Sequence, residues 1–132
     1  MIFIDANIPM YILGADDGLK ARALGAVERF AVSGVRFVSD AEVFQEIIHR
    51  YTALRRPEAV EPVFNALLSI VDEVFPIELV DVHHAKDLLA EVPGLSARDA
   101  THAAIMARHD VTKVLTFDTG FDKIRWIERI SS

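Results

Sequence analysis

The sequence contains no cysteine, which excludes disulfide bonds and thiolate metal sites and makes a cytoplasmic location the expectation. It has no apolar run approaching the length of a bilayer span, so no membrane segment is expected. The opening Met1-Ile2-Phe3-Ile4 is broken by Asp5 and has no basic flank, which does not suit a secretory signal. Surplus basic charge is also missing. The net charge is −6 at pH 7, which argues against a protein that holds nucleic acid over a generally basic surface. Internal repeats, low-complexity segments and linkers are absent, and 132 residues are about one domain's length, so a single domain over 1–132 is expected.

What the chain has in excess is apolar surface. Hydrophobic residues make up 52% and the mean hydropathy is +0.26. Without a membrane span to absorb it, this excess suits a sheet buried on both faces, with some left for a partner-binding surface.

Short apolar runs alternate with helical patterns. Strands are expected at Ile2–Ile4, Val35–Val38, Val74–Val80 (interrupted by Pro76 and so placed toward an edge) and Val114–Phe117, with Trp126–Ile130 a short last strand or a tail packed on the sheet. Helices are expected at Pro9–Leu13, Leu19–Ala31, from a Ser39 or Asp40 cap to about Arg55, at Glu58–Val71, at Val82–Glu91 behind an Asp81 cap, and from Ser96 to about His109. Gly14 to Gly18 reads as a turn, and Arg55-Arg56-Pro57 should fold the two helices beside it into an antiparallel hairpin. Val43, Phe44, Ile47, Ile48, Tyr51 and Leu54 form one apolar face, Trp126 reads as core, and His83, His84 and Lys86 read as surface. The alternation gives an α/β fold with a mostly parallel sheet of four to five strands flanked by helices.

Carboxylates stand where such a sheet binds ligands. Asp5 and Asp118 follow apolar strands, and the carboxyl edge of an open α/β sheet is where loops are free to form a site. Asp122 lies one turn beyond Asp118, Asp99 opens the Ala-rich helix, and Glu46 borders the apolar face of the helix after the second strand. Each acid also has a plainer reading: Asp5 or Asn7 as a helix cap, Asp99 in a Ser96-x-x-Asp99 capping box, Asp118 capping a short helix through Phe121 to Lys123, Glu46 solvated. If the first and fourth strands are neighbours, Asp5, Glu46, Asp99 and Asp118 can share a pocket. Four carboxylates there cannot all stay ionised without a cation, and oxygen ligands suit Mg²⁺ or Mn²⁺.

Four segments, FIDAN (residues 3–7), VSDAEVFQEIIHRY (38–51), LSARDATHAA (95–104) and LTFDTGFDKI (115–124), stand in the order and at the spacing of the PIN-domain family. The chain resembles that family from Ile2 to about Ile130, and within it the VapC-type toxin ribonucleases of toxin–antitoxin pairs. The resemblance implies a three-layer α/β fold and hydrolysis of RNA phosphodiesters assisted by Mg²⁺ or Mn²⁺. It places the family's acids on Asp5, Glu46, Asp99 and Asp118, with Asp122 as a further metal contributor and Asn7 and Thr116 supporting by hydrogen bonds. Glu42 leaves a small ambiguity about the second acid, though Glu46, followed by Ile47-Ile48, fits better. The implied partners are RNA, a cognate antitoxin and a second copy of the chain. Arg50, Arg55, Arg56, Lys123 and Arg125 are candidates to grip RNA phosphates. Two other readings compete: an inactive PIN-like interaction module, and a phosphoaspartyl phosphatase, which would want a second aspartate where the chain has Asn7.

Overall fold

A computed structural model describes residues 1–15 and 18–131; the middle of the expected Gly14–Gly18 turn, at residues 16 and 17, lies outside them. Ile2–Ile4 form β1, whose three side chains are all buried. Such a run, apolar without alternation, suits a parallel strand covered on both faces. The chain continues through α1 (Asn7–Ile12), α2 (Gly18–Val32), β2 (Phe37–Asp40), α3 (Ala41–Ala53), α4 (Val60–Ile70), β3 (Glu73–Phe75), α5 (Leu79–Glu91), α6 (Ala97–Arg108), β4 (Lys113–Leu115) and β5 (Glu128–Ile130). The strands form one sheet in the order β3-β2-β1-β4-β5, and every pairing is parallel.

This order positions the site. From β1 the chain builds outward through β2 to β3, then returns to the other side of β1 for β4 and β5. Between β1 and β4 the winding reverses, and a crevice opens there at the carboxyl ends of the strands. Phe3 pairs with Val114 and Ile4 with Leu115, which brings the next residues on each strand, Asp5 and Thr116, side by side. The Ala-rich face of α6 lets this helix sit close in: Ala100, Ala103 and Ala104 are fully buried.

Local chemistry fixes the ends of the elements. Asp40 closes β2 and caps α3, its Oδ1 accepting from the Val43 amide at 2.8 Å. Past the end of α3, Arg55 adopts a left-handed backbone with φ of 57°, which stops the helix before Pro57. The hairpin of α3 and α4 is closed by Phe44 and Phe64, packed edge to face with centroids 4.9 Å apart. Arg108 of α6 grips the buried Asp81 of α5 with two hydrogen bonds, 2.7 and 2.9 Å long.

Several details depart from expectation. The second strand runs Phe37–Asp40 and includes the expected cap residues. The third strand ends at Phe75, and α5 starts at Leu79, three residues earlier than expected. Glu78, not Asp81, stands at its N-cap; Asp81 is the third helical residue and answers the cap by accepting from the Glu78 amide. Neither Asp5 nor Asn7 caps α1. The apolar face assigned to α3 is too wide: Ile48 and Leu54 are exposed, because α4, α6 and the sheet cover other parts of that helix. Trp126 is 40% exposed, lying in the turn before β5 and not under it.

Phe121 is fully buried in the 3₁₀ turn Thr119–Lys123, which follows β4 and Asp118. Its ring anchors that turn to the core. Phe121→Ala should cost about 3–5 kcal/mol, measured by chemical denaturation, whereas Phe121→Leu should lose markedly less.

Candidate active site

Asp5 ends β1 and is 5% exposed. Its Oδ1 accepts from the Ala6 amide at 2.8 Å, and its Oδ2 accepts from the Thr116 hydroxyl at 2.8 Å. That hydroxyl in turn accepts from Asn7 Nδ2 at 2.9 Å and from the Asp118 amide at 3.0 Å. Asn7 Oδ1 accepts from the Phe117 amide at 3.3 Å. Thr116 and Asn7 thus tie the ends of β1 and β4 together around one carboxylate. Burial pushes the Asp5 carboxyl up from 3.8 to about 6, with the charge on Glu46 adding to the rise, while His102, the Thr116 hydroxyl and the Ala6 amide oppose it.

Glu46 of α3 faces the same space. Its Oε1 accepts from Arg98 Nη1 at 3.1 Å, and its Oε2 lies 3.7 Å from His102 Nε2. Burial would raise this carboxyl, but His102 and then Arg98 outweigh it and hold it below the usual glutamate value. Arg98 also approaches Glu42, at 4.0 Å, so Glu42 contributes by steadying Arg98. His102 is fully buried, with Nδ1 2.7 Å from Oδ2 of the equally buried Asp40. Burial alone would strip its proton. Asp40, helped by Glu46 and Asp5, more than reverses this and keeps the ring an imidazolium. Glu46 Oε2 and His102 Nε2 are both buried without a hydrogen-bond partner. One ligand atom each from Asp5, Glu46 and His102 lie within 4.8 Å of one another.

Asp99 and Asp118 form the outer wall. Ser96 caps α6 by accepting from the Asp99 amide at 3.0 Å, and the Asp99 side chain packs against Gly120. A Cβ at Gly120 would collide with Asp99 Oδ2 and would also touch Asp118, so only glycine lets these acids close on one another. Burial raises the Asp99 carboxyl, and Asp118 adds to the rise. Asp118 is more exposed, and its Oδ1 caps the 3₁₀ turn by accepting from the Gly120 amide at 3.0 Å.

These residues open onto a cleft of about 330 Å³ lined by Asp5, Asn7, Glu46, Asp99 and Asp118, with Met10, Tyr11, Tyr51 and Leu54 as apolar wall and Arg50 and Arg56 as cations. The other residues singled out from the sequence stand elsewhere. Asp122 is not part of the lining, and its Oδ1 accepts from Arg129 at 2.9 Å. Arg55, at the hairpin turn, is not among the residues that line the cleft. Lys123 donates to the Gly94 carbonyl at 2.9 Å and, with Arg125 and Trp126, lines a separate concavity.

A family model described as the PIN domain matches residues 2–127. The chain belongs to the PIN-domain family. Among its relatives, the Mycobacterium tuberculosis ribonuclease VapC13 is 50% identical over 131 residues, covering 99% of this chain and 100% of VapC13. Two solved structures share the fold. The crystal structure of Mycobacterium tuberculosis VapC20, described as a sarcin-ricin loop cleaving toxin, superposes with a TM-score of 0.77 at 20% identity, covering 97% of this chain and 98% of VapC20. VapBC2 of Rickettsia felis, solved with a DNA fragment from its promoter, gives 0.75 at 14% identity and covers 98% of each chain.

The donor set of this PIN domain fits a divalent cation. Carboxylate oxygens converge from four elements, and an orphaned carboxylate oxygen, Glu46 Oε2, is aimed into the gap between them. The sequence reading missed three residues. Arg98 stands beside Asp99 but reaches across to α3. His102 follows Asp99 by three positions, so the two share a face of α6, and it is the one ring in an otherwise small apolar stretch; that spacing was the available signal. Asp40 reads as a cap and is one, but its second oxygen holds His102.

A carboxyl with a higher pKa folded than unfolded keeps its proton longer in the native state. Native Asp5 therefore binds more protons than unfolded Asp5, and the metal-free protein loses stability as pH rises from about 4 to about 6. The penalty is fully present above that window, on the order of 3 kcal/mol. Asp5→Asn should accordingly melt higher than wild type in EDTA near pH 8, with the gap closing near pH 4. A gap of the same size at both pH values would place the effect outside this ionisation.

Proposed function

We propose that this PIN domain, a single domain over residues 1–132, is a Mg²⁺- or Mn²⁺-dependent endoribonuclease and the toxin of a VapBC-type pair acting in the cytoplasm. The observation that carries the reading is the meeting of Asp5, Glu46, Asp99 and Asp118 in one cleft at the winding reversal of the sheet. Its support from relatives is the 50% identity, over the full length, to a ribonuclease of the VapC type.

Asp5, Asp99 and Asp118 would hold the cation, with Glu46 as a further ligand or as the group that orients the attacking water. A divalent ion in such a site supplies positive charge to a phosphate oxygen and makes a water more acidic. The remaining work belongs to the chain. Thr116 and Asn7 fix the Asp5 carboxylate with both oxygens directed, so little reorganisation is left for the reaction itself. Arg98 and His102 hold Glu46 ionised, ready to accept a hydrogen bond from water. Arg50 and Arg56 stand at the rim, where they can grip the phosphates that flank the scissile one. Arg55, Lys123 and Arg125 do not line the cleft and would meet only a longer RNA strand; Asp122, outside the lining and engaged by Arg129, would act on the metal from a distance at most.

A cognate antitoxin and a second copy of the chain are the proposed protein partners. The exposed Ile48, Leu54 and Leu68 on the hairpin of α3 and α4, and Leu79, Val80 and Val82 on α5, provide apolar surface for them. No helix among the described residues is long and apolar enough to cross a membrane.

RNA incubated with the protein and Mn²⁺ should be cut internally, and EDTA should stop the reaction. Asp99→Asn should lower the rate 100-fold or more, about 2.7 kcal/mol of transition-state stabilisation, while keeping the circular dichroism spectrum of wild type. Cleavage that persists in EDTA, or in Asp99→Asn at the wild-type rate, would overturn the reading.

A further inference from the structure

We infer that His102 Nε2 is itself a metal ligand, completing with Asp5 and Glu46 an inner cation position behind the outer acids, and that Asp40 is the group that orients it. The inference rests on the metal-dependent reading of the cleft and deepens it.

Four observations point the same way. The imidazole is fully buried, yet Nε2 has no hydrogen-bond partner. A buried polar atom left unpaired is costly, and this one lies 3.7 Å from another unpaired atom, Glu46 Oε2. That separation is too long for a hydrogen bond but suits two ligands flanking one ion. Asp5 supplies a third atom within 4.8 Å. The other ring nitrogen is engaged by Asp40 at 2.7 Å. A carboxylate on the far nitrogen is the usual companion of a metal-binding histidine, because it fixes the ring's orientation and leaves the near nitrogen free to coordinate. Asp40 is held in turn by the Val43 amide, and the ring is packed beside Phe3 and Phe121, so His102 has no room to swing away.

A nitrogen donor changes what the site prefers. Imidazole favours transition-metal ions over Mg²⁺, so the inner position should select Mn²⁺, whereas an all-carboxylate site would discriminate less.

The test is pulsed electron paramagnetic resonance of the full-length protein loaded with Mn²⁺ alone. Wild type should show spin-echo modulation from a directly bound imidazole nitrogen, and growth with ¹⁵N-histidine should change its pattern. His102→Gln should abolish the modulation and narrow the preference for Mn²⁺ over Mg²⁺ measured by calorimetry. Asp40→Asn should weaken Mn²⁺ binding by about 10- to 100-fold. Should His102→Gln fail to fold, a variant with His49, His83, His84 and His109 all changed to Gln, leaving His102 as the one histidine of the chain, decides the matter by keeping the wild-type modulation. Bound Mn²⁺ with only oxygen ligands would overturn this inference and reduce His102 to positioning Glu46, leaving the nuclease reading in place. Nitrogen modulation that survives in His102→Gln would also overturn it. A wild-type protein that binds no Mn²⁺ would overturn both.

Discussion

Charge gathered away from water governs this molecule. Asp5 sits at the end of the central strand with almost no exposure, and Asp40, Glu46, His102 and Asp99 crowd behind it. A sheet edge can hold such a group only if each ionised member finds a countercharge or a directed hydrogen bond. Much of the local structure answers that demand. Thr116 and Asn7 serve Asp5, Arg98 reaches from α6 to Glu46, and Asp40 and Glu46 hold the charge on His102. Stability elsewhere, in the apolar strands and the Ala-rich helix, offsets what this arrangement costs.

The same constraint explains how a chain of net charge −6 can be built to meet another polyanion. General attraction is not available to it. Arg50 and Arg56 line the cleft, and under the proposed function they would act on the few phosphates nearest the reacting one. Recognition on such a surface depends on shape and on a handful of contacts, so the walls formed by Met10, Tyr11, Tyr51 and Leu54 bear on which RNA can enter.

The strands, the helix alternation and the edge position of β3 were legible because each rests on a local rule: short apolar runs, caps, Pro76 ending a strand. The convergence of Asp5, Glu46, Asp99 and Asp118 on one cleft was legible because residues at strand ends and helix starts are brought together by topology. Failures came where a residue answers to two neighbours at once. Asp40 is a cap on one oxygen and a histidine partner on the other, and no local rule announces the second role. His102 looks like an ordinary core residue until α3 is laid beside α6. Trp126 and Leu54 are apolar yet exposed, and only the packing of whole elements shows that nothing covers them. Asp122 shares the segment of Asp118, but the 3₁₀ turn directs it to Arg129 and away from the cleft.

The position of β1 in the middle of the sheet has a consequence in time. Of its two neighbours, β4 is made long after β2, and the bond from Thr116 to Asp5 joins residues 111 apart. While the chain is still growing, Asp5 remains in water with no Thr116 to hold it, and neither Asp99 nor Asp118 yet exists. No fragment that stops short of β4 contains the cleft. Assembly of the site therefore waits on β4 and the turn after it, because the carboxylate of Asp5 and the hydroxyl that holds it come from distant parts of the chain.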